Sequence, residues 1–381
     1  MSTRIKNIVV CVSMAVILFT LTILCIFMPK EDFLDAERRK PAPFPEVSFE
    51  SIMKDGVEYN DSFMSKFEKY AIDAFPFRDS FRTLKAIFAN YVIFQKDNND
   101  IYLSGGYASK LDYPLKDEMI DHAASRIEYI YKTYLEGKTD NVYLSIIPDK
   151  NYFLAEDNGY PAIDFDKLVK DLRDKTDFAE YIDIFPLLAL EDYYKTDTHW
   201  KQENITDVAD ALLLGMGVDV ETEYKENTLD YPFYGVYYGQ AALPLPPETI
   251  KYLTNETIDA LKVTVADATT GKPLNSTVYN MNKAYGKDPY EMFLSGATPF
   301  VVMENPNANT DRELIIFRDS FGSSISPLLA EGYKKITLID IRYVQSTMLS
   351  GLASTYGYDF ENADVLFLYS TLILNSSKIL N

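Results

Sequence analysis

After Arg4 and Lys6, the positions from Ile8 to Met28 are 21 uncharged, mostly apolar residues in a row. At about 1.5 Å per residue a helix of that length covers roughly 30 Å, the hydrocarbon thickness of a bilayer. The run ends ILCIFMPKED, without the small residues of a cleavage site, and Leu24 stands where a lipoprotein box before Cys25 would need a small residue. The pattern predicts an uncleaved single-pass anchor over residues 1–28. The positive end lies inside and the remainder is extracytoplasmic, which places the protein at the cell membrane.

Charge and proline alternate in 29–47, PKEDFLDAERRKPAPFPEV, as in a juxtamembrane linker. From Asp61 to Phe94 the apolar spacing is helical, with a break at Pro76. IYLSGGYASKL (101–111) reads as a hairpin, and DEMIDHAASRIEYIYKTYLEG as an amphipathic helix closed by Gly137, with His122 on its solvated face. Short apolar strands then alternate with helices. The strands are NVYLSIIP (141–148), a segment at 180–185, ELIIF (313–317), KKITLID (334–340) and ADVLFLYS (363–370). This rhythm predicts an α/β fold, a parallel sheet with helices on both faces, within a domain spanning 48–381. Residues 219–300, rich in Tyr, Pro, Asn and Thr, break it and read as an irregular insertion or lid.

Composition narrows the chemistry. A formal charge of −20 argues against nucleic acid, whose phosphates are bound by neutralising Lys and Arg. The 29 Tyr and 23 Phe can stack on sugar rings, or can simply fill an aromatic core and shell. Both cysteines, Cys11 and Cys25, lie in the apolar run, so the exported part has no thiol nucleophile, disulfide or Cys-based metal site. With His122 and His199 the only histidines, a multi-histidine metal site is excluded too. No cofactor or metal is expected. Chemistry must come from hydroxyls, carboxylates, backbone donors and one or two imidazoles.

In open parallel sheets ligands sit beyond the carboxyl ends of the strands. Two polar clusters fall there, KTDTHW (195–200) and RDSFGSS (318–324). In the second, Ser320 sits where a buried strand turns into a helix, with Gly322 permitting a tight path. The N–H groups that open the helix could stabilise an oxyanion. The alternative is a helix cap, since Asp319, Ser320, Ser323 and Ser324 are all common at helix N-termini. In the first cluster, His199 could act as a base oriented by Asp197, or Asp197 and Thr198 could cap the helix that follows Trp200. Lys150 and Arg342, each following a strand end, could bind a sugar or acyl oxygen or form structural ion pairs.

KTDTHW and RDSF resemble the motifs of the DHHW protein family, which is SGNH-hydrolase-like and related to periplasmic alginate O-acetyltransferases. YAIDAFPFRDSF (70–81), IPDK (147–150), FLSGATPFVV (293–302) and IDIRY (339–343) extend the resemblance over most of the chain outside the anchor. The resemblance implies a flavodoxin-like SGNH-type α/β/α domain and a Ser–His–Asp triad in which the His–Asp pair precedes the Ser. Residue by residue, Asp197, His199 and Ser320 fall on the triad positions and Trp200 on the motif's tryptophan. Thr198 stands where the family's name-giving motif has a histidine.

The function so implied is O-acetyl transfer to a cell-surface polysaccharide through an acyl-serine, with a membrane-bound O-acyltransferase as acyl donor. Hydrolysis of the same esters would use the same residues. A non-catalytic glycan-binding or assembly protein on an SGNH-like scaffold is the reading from another class, and Thr198 is the feature that keeps it open.

Overall fold

The computed structural model describes residues 2–48 and 62–381, which fall into two compact units. One comprises the chain up to Asn98 together with Ala242–Pro244, and the other comprises Asn99–Ala241 with Leu245–Asn381. Asp61, where the helical pattern begins, lies outside the described residues, as does 49–60 at the start of the expected 48–381 domain.

In the first unit one helix, Thr3–Phe27, is long and apolar enough to cross a membrane by length and composition. Helix Phe63–Asp73 is capped by the Ser62 hydroxyl, which accepts from Ser65 N at 3.2 Å. The chain breaks around Pro76 and resumes as helix Arg78–Ile87, which widens into a π turn over Phe88–Val92. Residues of the 29–47 segment are tied to these helices. Arg39 forks onto Asp73 (2.6 and 2.7 Å), which also accepts from Ala42 N (2.8 Å), and Arg78 pairs with Glu37 at 2.6 Å.

The second unit is built on an eight-stranded sheet. Its strands in chain order are β1 (Val142–Ile147), β2 (Glu180–Tyr181), β3 (Lys262–Ala266), β4 (Pro273–Ser276), β5 (Phe300–Glu304), β6 (Glu313–Arg318), β7 (Lys335–Ile339) and β8 (Asp364–Ser370). They lie in the order β2-β1-β8-β6-β7-β5-β3-β4. The first five in that order run parallel, whereas β5, β3 and β4 join antiparallel. Alternate residues of the parallel strands enter opposite cores. Leu314, Ile316, Leu366 and Leu368 pack with helix Thr206–Gly215 and the turn Ser326–Gly332. Ile315, Phe317, Val365 and Phe367 pack with helices Asp117–Ile130, Phe165–Lys175 and Leu349–Tyr356. Helices therefore cover both faces, which is why these strands read as unbroken apolar runs.

Two features differ from the pattern reading. The parallel strands do not take the 2-1-3-4-5 order of a flavodoxin-like sheet. The last strand in the chain, β8, is inserted between β1 and β6. The stretch 219–300, expected to be irregular, supplies a strand pair (Lys225–Phe233 with Glu248–Thr254) and the last two strands on one side of the sheet, β3 and the edge strand β4. The KVTVA of β3 alternates as a half-buried strand does, but its partner β5 lies beyond a long loop.

Candidate active site

The loop carrying KTDTHW is pinched at its base. Tyr193 and Trp200 form an isolated antiparallel bridge, with Tyr194 N donating to His199 O (3.1 Å) and Lys201 N to Asp192 O (2.6 Å). The Glu248 carboxylate accepts from Lys195 N, Thr196 N and the Thr196 hydroxyl at 2.7–2.9 Å. Gly235 lies so close that a Cβ there would stand 2.2 Å from Thr196 O, so no larger residue fits without moving the loop.

Inside this loop Asp197 is fully buried. Its Oδ1 accepts from His199 N (3.0 Å) and from Nδ1 of the His199 ring (2.5 Å), and its Oδ2 accepts from Val236 N (2.8 Å). With Nδ1 donating to the carboxylate, Nε2 is left as the acceptor, and it lies 2.8 Å from Ser320 Oγ. The imidazole is stacked on the Tyr290 ring, centroids 3.9 Å apart and planes 8° apart, with Phe321 at 5.0 Å.

Ser320 stands just past the end of β6, before the short helix Gly322–Ile325. Of the two readings of this turn, the helix cap is not made: no side chain caps Gly322–Ile325, and the turn is instead braced by Asp319. Its Oδ1 accepts from Phe321 N (3.0 Å) and its Oδ2 from Ser370 N (2.8 Å), while the Ser320 hydroxyl faces His199. The helix-opening N–H groups are taken up locally: Phe321 by Asp319 Oδ1, Gly322 by Asp319 O and Ser323 by Ser320 O. They are therefore not the oxyanion donors the sequence suggested. Gly322 is required by packing, since a Cβ there would meet Arg318 Cβ at 2.8 Å.

Trp200 is fully buried and joins the two clusters. Its Nε1 donates to Ser324 Oγ at 2.9 Å, and its ring meets Phe321 edge-on. Gln202 reaches the same turn through Ser324 O (2.6 Å). Thr198 accepts from the Tyr237 hydroxyl (3.1 Å), which places the departure from the DHHW pattern outside the Asp197–His199–Ser320 chain.

Two other residues occupy positions that favour structure over substrate. Lys150 is 2% exposed and donates to three backbone carbonyls, those of Ala108, Tyr194 (2.9 Å) and Lys195 (3.3 Å). Burial pushes its ammonium down to about 7 against the pull of Asp197 and Glu248. Arg342 is turned onto buried Asp340, Nε to Oδ1 at 2.9 Å and Nη2 to Oδ2 at 2.6 Å. Both were candidates for substrate contact. Each instead satisfies a buried acceptor that would otherwise be orphaned.

Tyr290, Val236, Glu248 and Ser324 were not singled out from sequence as site residues. Ser324 had a local signal in RDSFGSS. Tyr290, whose phenol burial pushes well above its ordinary value, had none beyond its place in DPYEMF. Among the described residues no group of three or more His, Cys, Asp or Glu side chains could hold a metal ion.

No family model matches the chain, and no curated protein matches it. Solved structures do. A DHHW family protein from Eubacterium siraeum aligns at 20% identity and TM-score 0.56, over 73% of this chain and 93% of that one. Bacillus cereus PatB1, in a structure with a sulfonyl adduct, aligns at 18% identity and TM-score 0.57, over 72% of this chain and 95% of that one. A second PatB1 structure gives 17% identity at the same TM-score, with 72% and 96% covered. The fold is shared with these proteins, in agreement with the DHHW resemblance carried by the motifs.

Proposed function

We propose that the protein is a membrane-anchored, extracytoplasmic acyl-ester enzyme of the SGNH type, which transfers acetyl groups to a cell-surface polysaccharide. The observation that carries this reading is the continuous relay from Asp197 Oδ1 through His199 to Ser320 Oγ, 2.5 and 2.8 Å, at the carboxyl end of a parallel strand. His199 Nε2 takes the Ser320 proton as Oγ attacks the acyl carbonyl of the donor. The tetrahedral intermediate collapses, the donor's oxygen leaves with that proton, and an acyl-serine remains. A sugar hydroxyl then gives its proton to His199, attacks the acyl carbon and releases Ser320. Asp197 holds the imidazole in the productive tautomer throughout and stabilises the imidazolium. The Ser320 N–H, for which no partner is found among the described residues, is the nearest main-chain candidate to receive the oxyanion.

The helix Thr3–Phe27 would tether this domain outside the membrane. A membrane-bound O-acyltransferase partner would deliver the acyl group. The test is intact-mass analysis after a sulfonyl fluoride or fluorophosphonate, the first chosen because PatB1 is known with a sulfonyl adduct. A single adduct on Ser320 that disappears in His199→Ala supports the reading. A folded protein that takes no adduct and turns over no acetyl ester would move it to a glycan-binding scaffold. Acetyl ester turnover raised by an added oligosaccharide, with acetylated sugar as product, separates transfer from hydrolysis.

A further inference from the structure

The helix Arg78–Ile87 and its continuation to Val92 are amphipathic in reverse. Ala86 and Ala89 are buried, 0% and 4% exposed, whereas Phe81, Leu84, Phe88 and Tyr91 are 46–63% exposed. These four recur at spacings of three, four and three, so they form one stripe along the helix. Beside it, the helix Phe63–Asp73 opens a largely apolar groove of about 680 Å³ that meets the stripe at Phe81 and is lined among others by Met64, Ile72 and Phe75.

What lies at this level is fixed by the chain itself. Lys30, three residues past the end of the apolar helix, holds its ammonium 4.2 Å from the centre of the Tyr70 ring. Met28–Glu31 and Asp73–Ser80 line one common hollow. The Arg39–Asp73 and Arg78–Glu37 pairs fasten the same helices to the segment that follows. If Thr3–Phe27 crosses the bilayer, the turn around Pro76 lies at its surface. The same two helices carry Lys66, Lys69 and Lys85 at exposed positions, as interfacial helices do.

We propose that the stripe Phe81–Leu84–Phe88–Tyr91 is a membrane-lying surface, seated among anionic lipid headgroups beside the exit of the anchor. It rests on the anchor reading above. It makes the first unit a foot rather than a free tether, fixing the height at which the chain leaves the membrane.

The test uses the full chain with Cys11→Ser and Cys25→Ser, reconstituted into phosphatidylcholine–phosphatidylglycerol vesicles. Single NBD labels are placed at Leu84→Cys, Phe88→Cys and, in the anchor, Phe19→Cys, and retained acetyl-ester turnover or Ser320 labelling verifies each variant's fold. Lipid carrying a doxyl quencher should lower NBD emission about twofold or more at 84 and 88, as well as at 19. Doxyl quenching at 19 with iodide quenching at 84 and 88 leaves the anchor standing and overturns the proposal. Shielding at 84 and 88 from both quenchers also overturns it, in favour of a protein occupant such as a second copy of the chain. Absence of doxyl quenching at 19 overturns the anchor reading itself.

Discussion

His199 lies flat against Tyr290, ring on ring at 3.9 Å, while the Tyr290 hydroxyl reaches Ser324 Oγ at 2.9 Å, the same atom that accepts from Trp200. The phenol thus holds the imidazole plane from one side and is itself held from the helix that follows Ser320. Tyr290→Phe keeps the face and removes the hydroxyl, and should cost only a fewfold in acetyl-ester turnover. Tyr290→Ala removes the face. It should lower kcat by roughly 100-fold through misplacement of the base, and stability by about 3–5 kcal/mol through the cavity. Turnover measured beside thermal unfolding separates the two effects.

Ser320→Ala and His199→Ala should each abolish Ser320-dependent activity; Ser320→Ala should leave Tm nearly unchanged, whereas His199→Ala also removes the ring that donates to buried Asp197 and stacks on Tyr290, and should lower Tm modestly. Asp197→Asn keeps the shape but cannot hold Nδ1–H in the same way, and should reduce kcat by roughly 10³–10⁴-fold. Equal loss of stability in all three would show that the relay is structural.

The three hydrogen bonds to Glu248 predict a graded series. Glu248→Ala releases Lys195 N, Thr196 N and the Thr196 hydroxyl, loosening the loop one residue before Asp197. A kcat decrease of roughly 10–100-fold is expected from a displacement of about 1 Å. Glu248→Gln retains one oxygen acceptor and should recover much of it. Equal turnover in both variants and the parent would exclude this positioning role.

Lys150 predicts a pH dependence of stability. Its folded value, about 7, lies below the ordinary 10.5, so between these values the unfolded chain binds more protons than the folded one. Its contribution is present above the ordinary value and is lost as pH falls through 7, so stability should rise with pH across that window. In Lys150→Met the rise should flatten, and the carbonyls of Ala108 and Tyr194, left without this donor, should each cost roughly 1–3 kcal/mol at neutral pH, whereas Lys195 O keeps its bond from Ala108 N. Denaturant midpoints at pH 6, 8 and 10 read both effects.

Much of this site was legible because each of its two chemical halves is compressed into one short polar segment. β6, β7 and β8 showed as apolar runs because both their faces are covered, and RDSF follows β6 directly. The strand expected at 180–185 shrinks to Glu180–Tyr181. Asp183 turns its carboxylate to Phe185 N, and Pro186 enters a 3₁₀ turn. The stretch SISPLLAEG keeps α geometry only to Ile325 and then tightens to 3₁₀ ahead of Pro327. Val236, Glu248 and Tyr290 were not legible at all. Each acts across 30 or more residues of sequence through a backbone N–H, a carboxylate or a ring face, and none of these leaves a periodic trace.

Val236 N donates to Asp197 Oδ2 from within the stretch that the sequence made look like an insertion. The machinery therefore belongs to three stretches of chain, and the middle one contributes no reacting atom. A chimera that grafts KTDTHW and RDSFGSS onto a related scaffold, but keeps that scaffold's own connecting segment, would inherit a serine and a histidine without the alignment of their carboxylate. On the proposed reading, the alignment of the relay is carried by the connection as much as by the motifs.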